Sequence, residues 1–246
     1  MENIYKKIIE RYKKETLKEC YEITLSEGIE PSISDNKLGG TPYFPEGENY
    51  PYTSSGSPMA LLLQVNLKDI DLPAFPSQGI LEIFIDACLD YPLEYKVFIF
   101  EEGLPQATNI PQPNLEQFVL SHPFKIELKK SFSHMPLNDY RADDVIRQIA
   151  YMETGRKDFI DGIWDDNIYR DLDVYLPGAC LGGYADFTQE DPRSEEDNRD
   201  FCLFKLDSLL HKSIYIGDSG ILSAVISEES LRAGKVEDAV VDWDCC

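Results

Sequence analysis

At 246 residues, with 43% hydrophobic and 11% aromatic residues, the chain has the composition of a globular protein that forms one large domain or two small ones. Its 45 acidic and 23 basic residues give a net charge of −22, which argues against binding to nucleic acid or to an anionic membrane. Such a surface would attract cations or a basic protein or peptide, although a charge that only keeps the protein soluble is the simpler interpretation. The six cysteines include no C-x-x-C pair, so we expect reduced thiols, no zinc site and no disulfide framework.

The first predicted element is a helix over about residues 2–19, where apolar side chains recur at helical spacing between Ile4 and Tyr12. Lysines and glutamates interrupt this segment, so it does not resemble a secretory signal. The longest apolar run, 59–63, is too short to span a bilayer. We therefore expect a cytoplasmic protein.

The next elements are strands, then a second helix, then more strands. After a turn-rich stretch, apolar segments bounded by Pro, Gly, Asn and Ser predict strands at 60–67, 79–86, 93–100 and 117–128. A helix is predicted at about 141–153, with Asn138 or Asp139 as its N-cap and Gly155 at its end. Further strands are predicted at 174–178, 201–207, 220–227 and 236–243.

Three blocks of sequence recur in the same order, which predicts an internal duplication. The stretch "LGGTPYF" from Leu38 is echoed by "LGGYADF" from Leu181. The segments 62–66 and 79–85 are matched by 203–207 and 220–226, both at an offset of 141 residues (203 − 62 and 220 − 79). Equivalent apolar positions keep the same parity, so they would point to the same face of a strand. We expect one domain, 1–246, with repeats at 30–130 and 140–246.

This pattern predicts an α+β fold of mainly antiparallel sheets related by a pseudo-twofold, with one helix at the N-terminus and one between the repeats. Polar strand positions of the two halves would then line a shared groove, with the two glycine turns at its rim. We expect this groove to bind an amide or peptide-like ligand, although the same residues would also suit the solvent side of half-buried strands. The candidate ligand-binding residues are Gly39, Gly40, Gln64, Asn66, Gly182, Gly183, Lys205 and Asp207.

As a set, these blocks resemble the YwqG-like family, a bacterial group of domains of unknown function. The resemblance covers most of the chain from about residue 30 onward and implies an α+β fold with a duplication, but no reaction. The residues that carry it are Leu38 to Pro42, Tyr50-Pro51, Leu63 to Asn66, Gly79 to Phe84, Gly183 to Gln189, Gly217 to Gly220 and Trp243.

Three positions depart from the pattern that the resemblance implies. Tyr50 stands where relatives commonly carry Trp, Ala179 where they often carry His, and Lys205 where Gln is usual. A ligand site that depended on that His or that Gln would be weakened in this chain.

Neither metal chemistry nor a cofactor is indicated by the motifs. The three histidines, His122, His134 and His211, have no metal-ligand spacing, and the acidic stretches 164–173 and 190–200 do not fit a calcium loop. Cys88 and Cys202 lie near predicted core strands, where free thiols behave as small hydrophobic groups.

Two classes of function remain. The first is a non-enzymatic binding module that engages a basic protein or peptide through an acidic surface or the groove, with an immunity-like role against a toxin as one form. The second is an enzyme of unrecognised type that acts on a small molecule in the groove. No catalytic triad or phosphate loop is present in the sequence, which favours binding. A His, a Cys and a carboxylate converging in one pocket would favour catalysis.

Overall fold

The computed structural model describes residues 2–159, 174–194 and 196–245, and its main element is one antiparallel sheet of ten strands. The strands are β1 Lys18–Ser26, β2 Lys37–Leu38, β3 Ala60–Asn66, β4 Ile80–Ile85, β5 Tyr95–Phe100, β6 Phe124–Ser133, β7 Ala179–Gly182, β8 Phe201–Asp207, β9 Ile221–Ile226 and β10 Val240–Asp244. The helices of this part of the chain are α1 Glu2–Glu15, α2 Ala142–Thr154 and α3 Glu228–Arg232. The fold is α+β, as the sequence predicts.

The strand order is β10-β9-β8-β7-β1-β6-β2-β3-β4-β5. At its centre β1 and β6 pair over their length, from Lys18 opposite Ser133 to Ser26 opposite Lys125. On one side β1 pairs with β7, and on the other side β6 pairs with β2. Each central strand therefore also pairs with a short strand that precedes a glycine turn, β1 with the one in the second half and β6 with the one in the first.

The two outer sets of four strands match in detail. The β3–β4 ladder shifts register between Leu61 and Leu63, and the β8–β9 ladder shifts between Cys202 and Phe204, again 141 residues later. A short 3₁₀ helix follows β3 at Leu67–Asp69 and follows β8 at Ser208–Leu210, each capped by the last side chain of its strand. The positions therefore correspond in pairs. Descent of the two sets from one ancestral segment stays a prediction.

One apolar core receives side chains from both halves, because one face of every long strand points into it. Leu63 and Val65 of β3 and Phe204 and Leu206 of β8 all belong to this core. The 3₁₀ helix Val236–Asp238, just before β10, packs against β5 at the opposite edge of the sheet. The sheet is therefore nearly closed around a single core.

The helices α1 and α2 pack together, with Ile8 and Tyr12 of α1 and Ile146 of α2 in a second apolar cluster that includes Tyr184. The end of α2 is as predicted, since Gly155 adopts a φ of 70° and donates its N–H to Tyr151.

The predicted N-cap of α2 is wrong. The residue before the helix is Arg141, which makes no side-chain cap. The carboxylate of Asp139 instead accepts hydrogen bonds from the guanidinium groups of Arg141 and Arg193, and Asn138 donates to Asp186.

Several boundaries differ from the sequence predictions. The first helix ends at Glu15, and the central strand β1 covers residues 18–26, of which the predicted helix includes only 18 and 19 and no predicted element includes the rest. Residues 174–178 are not a strand, because the strand begins at Ala179. The strand predicted at 117–128 begins only at Phe124 and extends to Ser133. The acidic segment 164–173 lies outside the described residues.

No helix of the described part of the chain is long and apolar enough to cross a membrane.

Replacement of Gly183 by Ala tests how tightly the second glycine turn is packed. Gly183 has a φ of 74°, and an added Cβ would lie 2.3 Å from Ser133 Oγ. Gly28 has a similar φ of 68° but has no atom within 4 Å of such a Cβ. We expect Gly28→Ala to lower the free energy of unfolding by about 1 kcal/mol through backbone strain alone, and Gly183→Ala by about 3 kcal/mol. Urea denaturation measures both, and equal losses would contradict the close packing.

Candidate functional site

A cavity of about 290 Å³ lies beside the Gly39–Gly40 turn, within the first half of the chain. Its walls come from the segment after β2, from the start of β3 and from the segment that precedes β6. The lining residues are Glu30, Gly39, Gly40, Thr41, Pro42, Tyr50, Ala60, Leu61, Ile110, Pro111, Gln112, Pro113, Leu115, Phe118, Leu120, Ser121, His122 and Pro123.

The glycine pair shapes this cavity because both residues adopt left-handed backbone conformations, with φ of 69° and 80°. A Cβ on Gly39 would lie 3.1 Å from Leu120 Cδ1, and a Cβ on Gly40 would lie 3.1 Å from Pro123 Cβ. The turn can therefore lie this close to the segment before β6 only because both residues are glycine. This close approach places the turn and that segment side by side as two walls of the cavity.

The walls expose polar and apolar surface in about equal parts, and few of their side chains are charged. Four prolines line the cavity, namely Pro42, Pro111, Pro113 and Pro123. Glu30 is the one carboxylate in the lining, and the lining contains no lysine, arginine or cysteine. Ser121 Oγ lies 2.9 Å from His122 Nδ1. In the described part of the chain His122 forms no ion pair with a carboxylate, so the Ser–His pair has no orienting third member.

Gln64 does not line the cavity, but it forms hydrogen bonds to two segments that border it. Its Oε1 accepts the N–H of Tyr43 at 2.7 Å, and its Nε2 donates to the carbonyl oxygens of Ile33 and Asp35, both at 2.9 Å. These bonds fix the two segments that follow Glu30 and Gly40. The side chain is itself buried, with only 1% of its surface exposed. Gln64 therefore positions the cavity walls and has no free amide group for a ligand.

Two buried ionisable groups flank Gln64 in the same row of the sheet, Lys37 on β2 and Glu82 on β4. Lys37 Nζ donates to the carbonyl oxygens of Ser32 and Ile33. Burial lowers the pKa of Lys37 to about 8, although the Glu82 carboxylate opposes this shift. Neither carboxyl oxygen of Glu82 has a hydrogen-bond partner in the described structure. Burial raises the pKa of Glu82 well above its ordinary value, against the opposing effects of Lys37 and of the Tyr43 N–H.

The corresponding region of the second half has a different chemistry. Lys205 takes the position of Gln64, and its ammonium pairs with Asp186, which corresponds to Tyr43. Tyr184 takes the position of Thr41, and it is buried among the residues of α1 and α2. Helices α1 and α2 thus pack against the Gly182–Gly183 turn, whereas the Gly39–Gly40 turn of the first half borders the cavity. The corresponding positions in the described part of the second half are therefore covered by the helices.

The structure corrects the predicted shared groove. Leu63, Val65, Phe204 and Leu206 face the common core, so Gln64 and Lys205, which alternate with them, point away from it. Both are 1% exposed, and four strands separate β3 from β8. Gln64 and Lys205 therefore cannot face each other across one groove.

The other predicted residues have three different placements. Asn66 and Asp207 cap the 3₁₀ helices, accepting the N–H groups of Lys68 and Leu209. Gly182 and Gly183 are buried and pack against β1 and β6. Gly39 and Gly40 line the cavity. Their role in binding a ligand stays a prediction.

Sequence reasoning missed Glu30 and the segment 110–123, which supply the other wall. The available signal is the proline-rich stretch "IPQP" at 110–113, which lies between the strands predicted at 93–100 and 117–128. Its proximity to the Gly39–Gly40 turn depends on the pairing of β2 with β6, which the sequence does not show.

A comparison with protein families gives one match. The model described as "Domain of unknown function (DUF1963)" matches residues 36–245, which include both glycine turns and nine of the ten strands described. Among curated proteins, none matches the chain.

The unpartnered carboxyl group of Glu82 makes a testable contribution to stability. Its pKa is raised in the folded state, so the native state holds this proton more tightly than the unfolded chain does. Its contribution to folding is therefore complete below the unfolded pKa, about 4.3, and is lost as the pH rises through the folded pKa. Gln cannot ionise. We expect Glu82→Gln to match the wild type near pH 4 and to gain in free energy of unfolding, relative to wild type, as the pH rises to 8.

The matched control is Glu127→Gln, which changes an exposed residue of β6. Urea denaturation at several pH values measures both variants. A difference between Glu82→Gln and wild type that does not change with pH would show that Glu82 titrates normally.

Proposed function

The chain belongs to this family of unknown function, and we propose that it is a non-enzymatic binding module that holds a basic segment of a partner protein or peptide in the cavity at Gly39–Gly40. The observation that carries the proposal is the composition of the cavity, whose lining includes four prolines and one carboxylate, that of Glu30, but no lysine or arginine. A lysine or arginine side chain has the matching chemistry, because its apolar stem can contact the prolines while its cationic end reaches Glu30.

The size and the surroundings of the cavity support the same class of ligand. A volume of about 290 Å³ suits one or two side chains rather than a large cofactor. The net charge of −22 would attract a basic partner over a distance and increase its rate of association. We place this partner in the cytoplasm. One such partner would be a basic toxin that this protein holds inactive, in an immunity-like role. The resemblance to YwqG-like proteins is compatible with that role.

Short peptides that differ in one central residue test the proposal. We expect peptides with a central Lys or Arg to bind, and peptides with norleucine or Glu at that position to bind at least tenfold more weakly. Binding shifts the NMR amide signals of Gly39, Gly40 and Ser121, and it weakens as salt is added. Equal binding of the Lys and norleucine peptides would contradict the role of charge.

The Glu30→Gln variant tests whether the charge acts locally. Because Glu30 is exposed, we expect a loss of roughly three- to fivefold in affinity for the Lys peptide, typical of one exposed ion pair. The matched control is Glu237→Gln, which removes the same charge from an exposed position in the second half. The control should change affinity by less than about 1.5-fold. Equal losses in the two variants would show that only net charge matters.

An enzyme is the alternative, and the hydrogen bond between Ser121 and His122 at the cavity is the observation that favours it. If Ser121 were a nucleophile, hydrolysis of an activated ester such as p-nitrophenyl acetate would fall to the buffer rate in Ser121→Ala. We expect the wild type and this variant to hydrolyse the ester equally slowly. A loss confined to Ser121→Ala, with peptide affinity unchanged, would favour the enzyme.

A further inference from the structure

Three of the cysteines lie close together on the outer face of the sheet, where β1 adjoins the second half. Cys20 lies on β1, Cys180 on β7 and Cys202 on β8, and none of the three has any exposed surface. Cys88, which like Cys202 is predicted near a core strand, is instead exposed.

The strand register explains why Cys20 and Cys180 approach each other. Cys20 is opposite Gly182 and Glu22 is opposite Cys180, so the two cysteines are diagonal neighbours on one face of an antiparallel pair. The Cys180 thiol donates to the carbonyl oxygen of Gly182 at 3.5 Å, which directs it toward the position opposite Cys20; this bond is lost when Cys180 ionises.

The surroundings favour the thiolate form of Cys180. Hydrogen bonds from the Cys20 and Cys202 thiols hold the pKa of Cys180 well below its ordinary value, and the Lys205 ammonium acts in the same direction, against the effect of burial. The pKa of Cys20 is raised because its thiol donates to Cys180 and because it is buried. Lys205 is itself buried, opposite Cys180 in the register, with Asp186 at 3.7 Å. These effects favour ionisation of Cys180 over ionisation of Cys20.

We propose that Cys180 and Cys20 form a peroxide-reactive pair, in which Cys180 is oxidised first and Cys20 then closes a disulfide between β7 and β1. In the first step the Cys180 sulfur attacks one oxygen of hydrogen peroxide, the O–O bond breaks, and the leaving hydroxide takes a proton to become water. In the second step the Cys20 sulfur attacks the sulfur of the Cys180 sulfenic acid, the S–O bond breaks, and the released hydroxide combines with the Cys20 proton. Two thiols lose two electrons in total, and one peroxide yields two waters.

Access to the pair depends on local opening of β7. This strand has four residues and lies between two loops, so it is held by few ladder hydrogen bonds. Opening of a short strand needs much less energy than global unfolding, and peroxide is close to water in size. The register favours Cys20 as the partner of Cys180. On the other side of β7, pairing with β8 includes Leu206 and Lys205 but does not reach Cys202, which is separated from them by the bulge between Cys202 and Phe204.

Peptide mapping of the whole chain tests the pair without any mutation. The reduced protein is treated with hydrogen peroxide, free thiols are alkylated in denaturant, and the unreduced protein is digested with trypsin. Each cysteine of the cluster falls in its own tryptic peptide, at 19–37, 171–193 and 200–205. We expect 19–37 cross-linked to 171–193, two hydrogens lighter than the sum of the two peptides. A cross-link from 171–193 to 200–205, or oxidation confined to the peptides that contain Cys88 or the C-terminal cysteines, would overturn the proposal.

Three variants assign the roles. Cys180→Ala should reduce the cross-link and the sulfenic acid at the cluster at least tenfold. Cys20→Ala should leave sulfenic acid on Cys180, detected with a dimedone probe. Cys88→Ala, the matched control at an exposed thiol, should leave the cross-link unchanged. If Cys20→Ala removes the dimedone signal while its urea midpoint equals that of the wild type, Cys180 is not the first thiol to react and the proposal fails.

Discussion

The antiparallel pair formed by β1 and β6 is the interaction on which the rest of the structure depends. Each of these strands precedes, in the chain, the half with which it does not pair: β1 precedes β2 but pairs with β7, and β6 precedes β7 but pairs with β2. The two outer sets of four strands are therefore joined through this pair. Cutting the chain between 134 and 140 would leave β1 and β6 with β2–β5, and it would separate β7–β10 from β1, the central strand with which β7 pairs, so one common core requires both parts of the chain.

The same sheet positions perform different tasks in the two halves. In the first half, Gln64 forms hydrogen bonds to the segments that follow Glu30 and Gly40, and these segments border the cavity. In the second half, Lys205 and Asp186 bring opposite charges into the interior, and α1 and α2 pack over the adjacent turn. A buried amide and a buried ammonium occupy equivalent places because each has nearby partners. The proposed binding site therefore lies in the first half, and the proposed thiol pair joins β1 to β7 of the second half.

The acidic composition also acquires a structural meaning. The chain has only 23 basic residues, yet three of them, Lys37, Arg193 and Lys205, are buried. Arg193 is fixed by Asp139 and Asp191, so its charge is neutralised inside the molecule. Because Glu82 and Asp139 are buried as well, the buried positive and negative charges nearly cancel. The net charge of −22 therefore lies almost entirely on the surface, as the proposed binding of a basic segment requires.

The sequence alone determined the elements whose signal is local. Periodicity predicted α2 and β8, and the glycine pairs indicated both turns. The constant offset of 141 residues predicted two equivalent segments, and the bulges of the two halves are separated by the same offset. Only the tertiary structure decided the rest. Glutamates at 19 and 22 interrupt the apolar pattern of β1, so its central place in the sheet follows from pairing with a strand more than 100 residues away. The cavity likewise joins Glu30 to residues 110–123, and the thiol pair joins Cys20 to Cys180, because long-range strand register, which no local pattern encodes, brings them together.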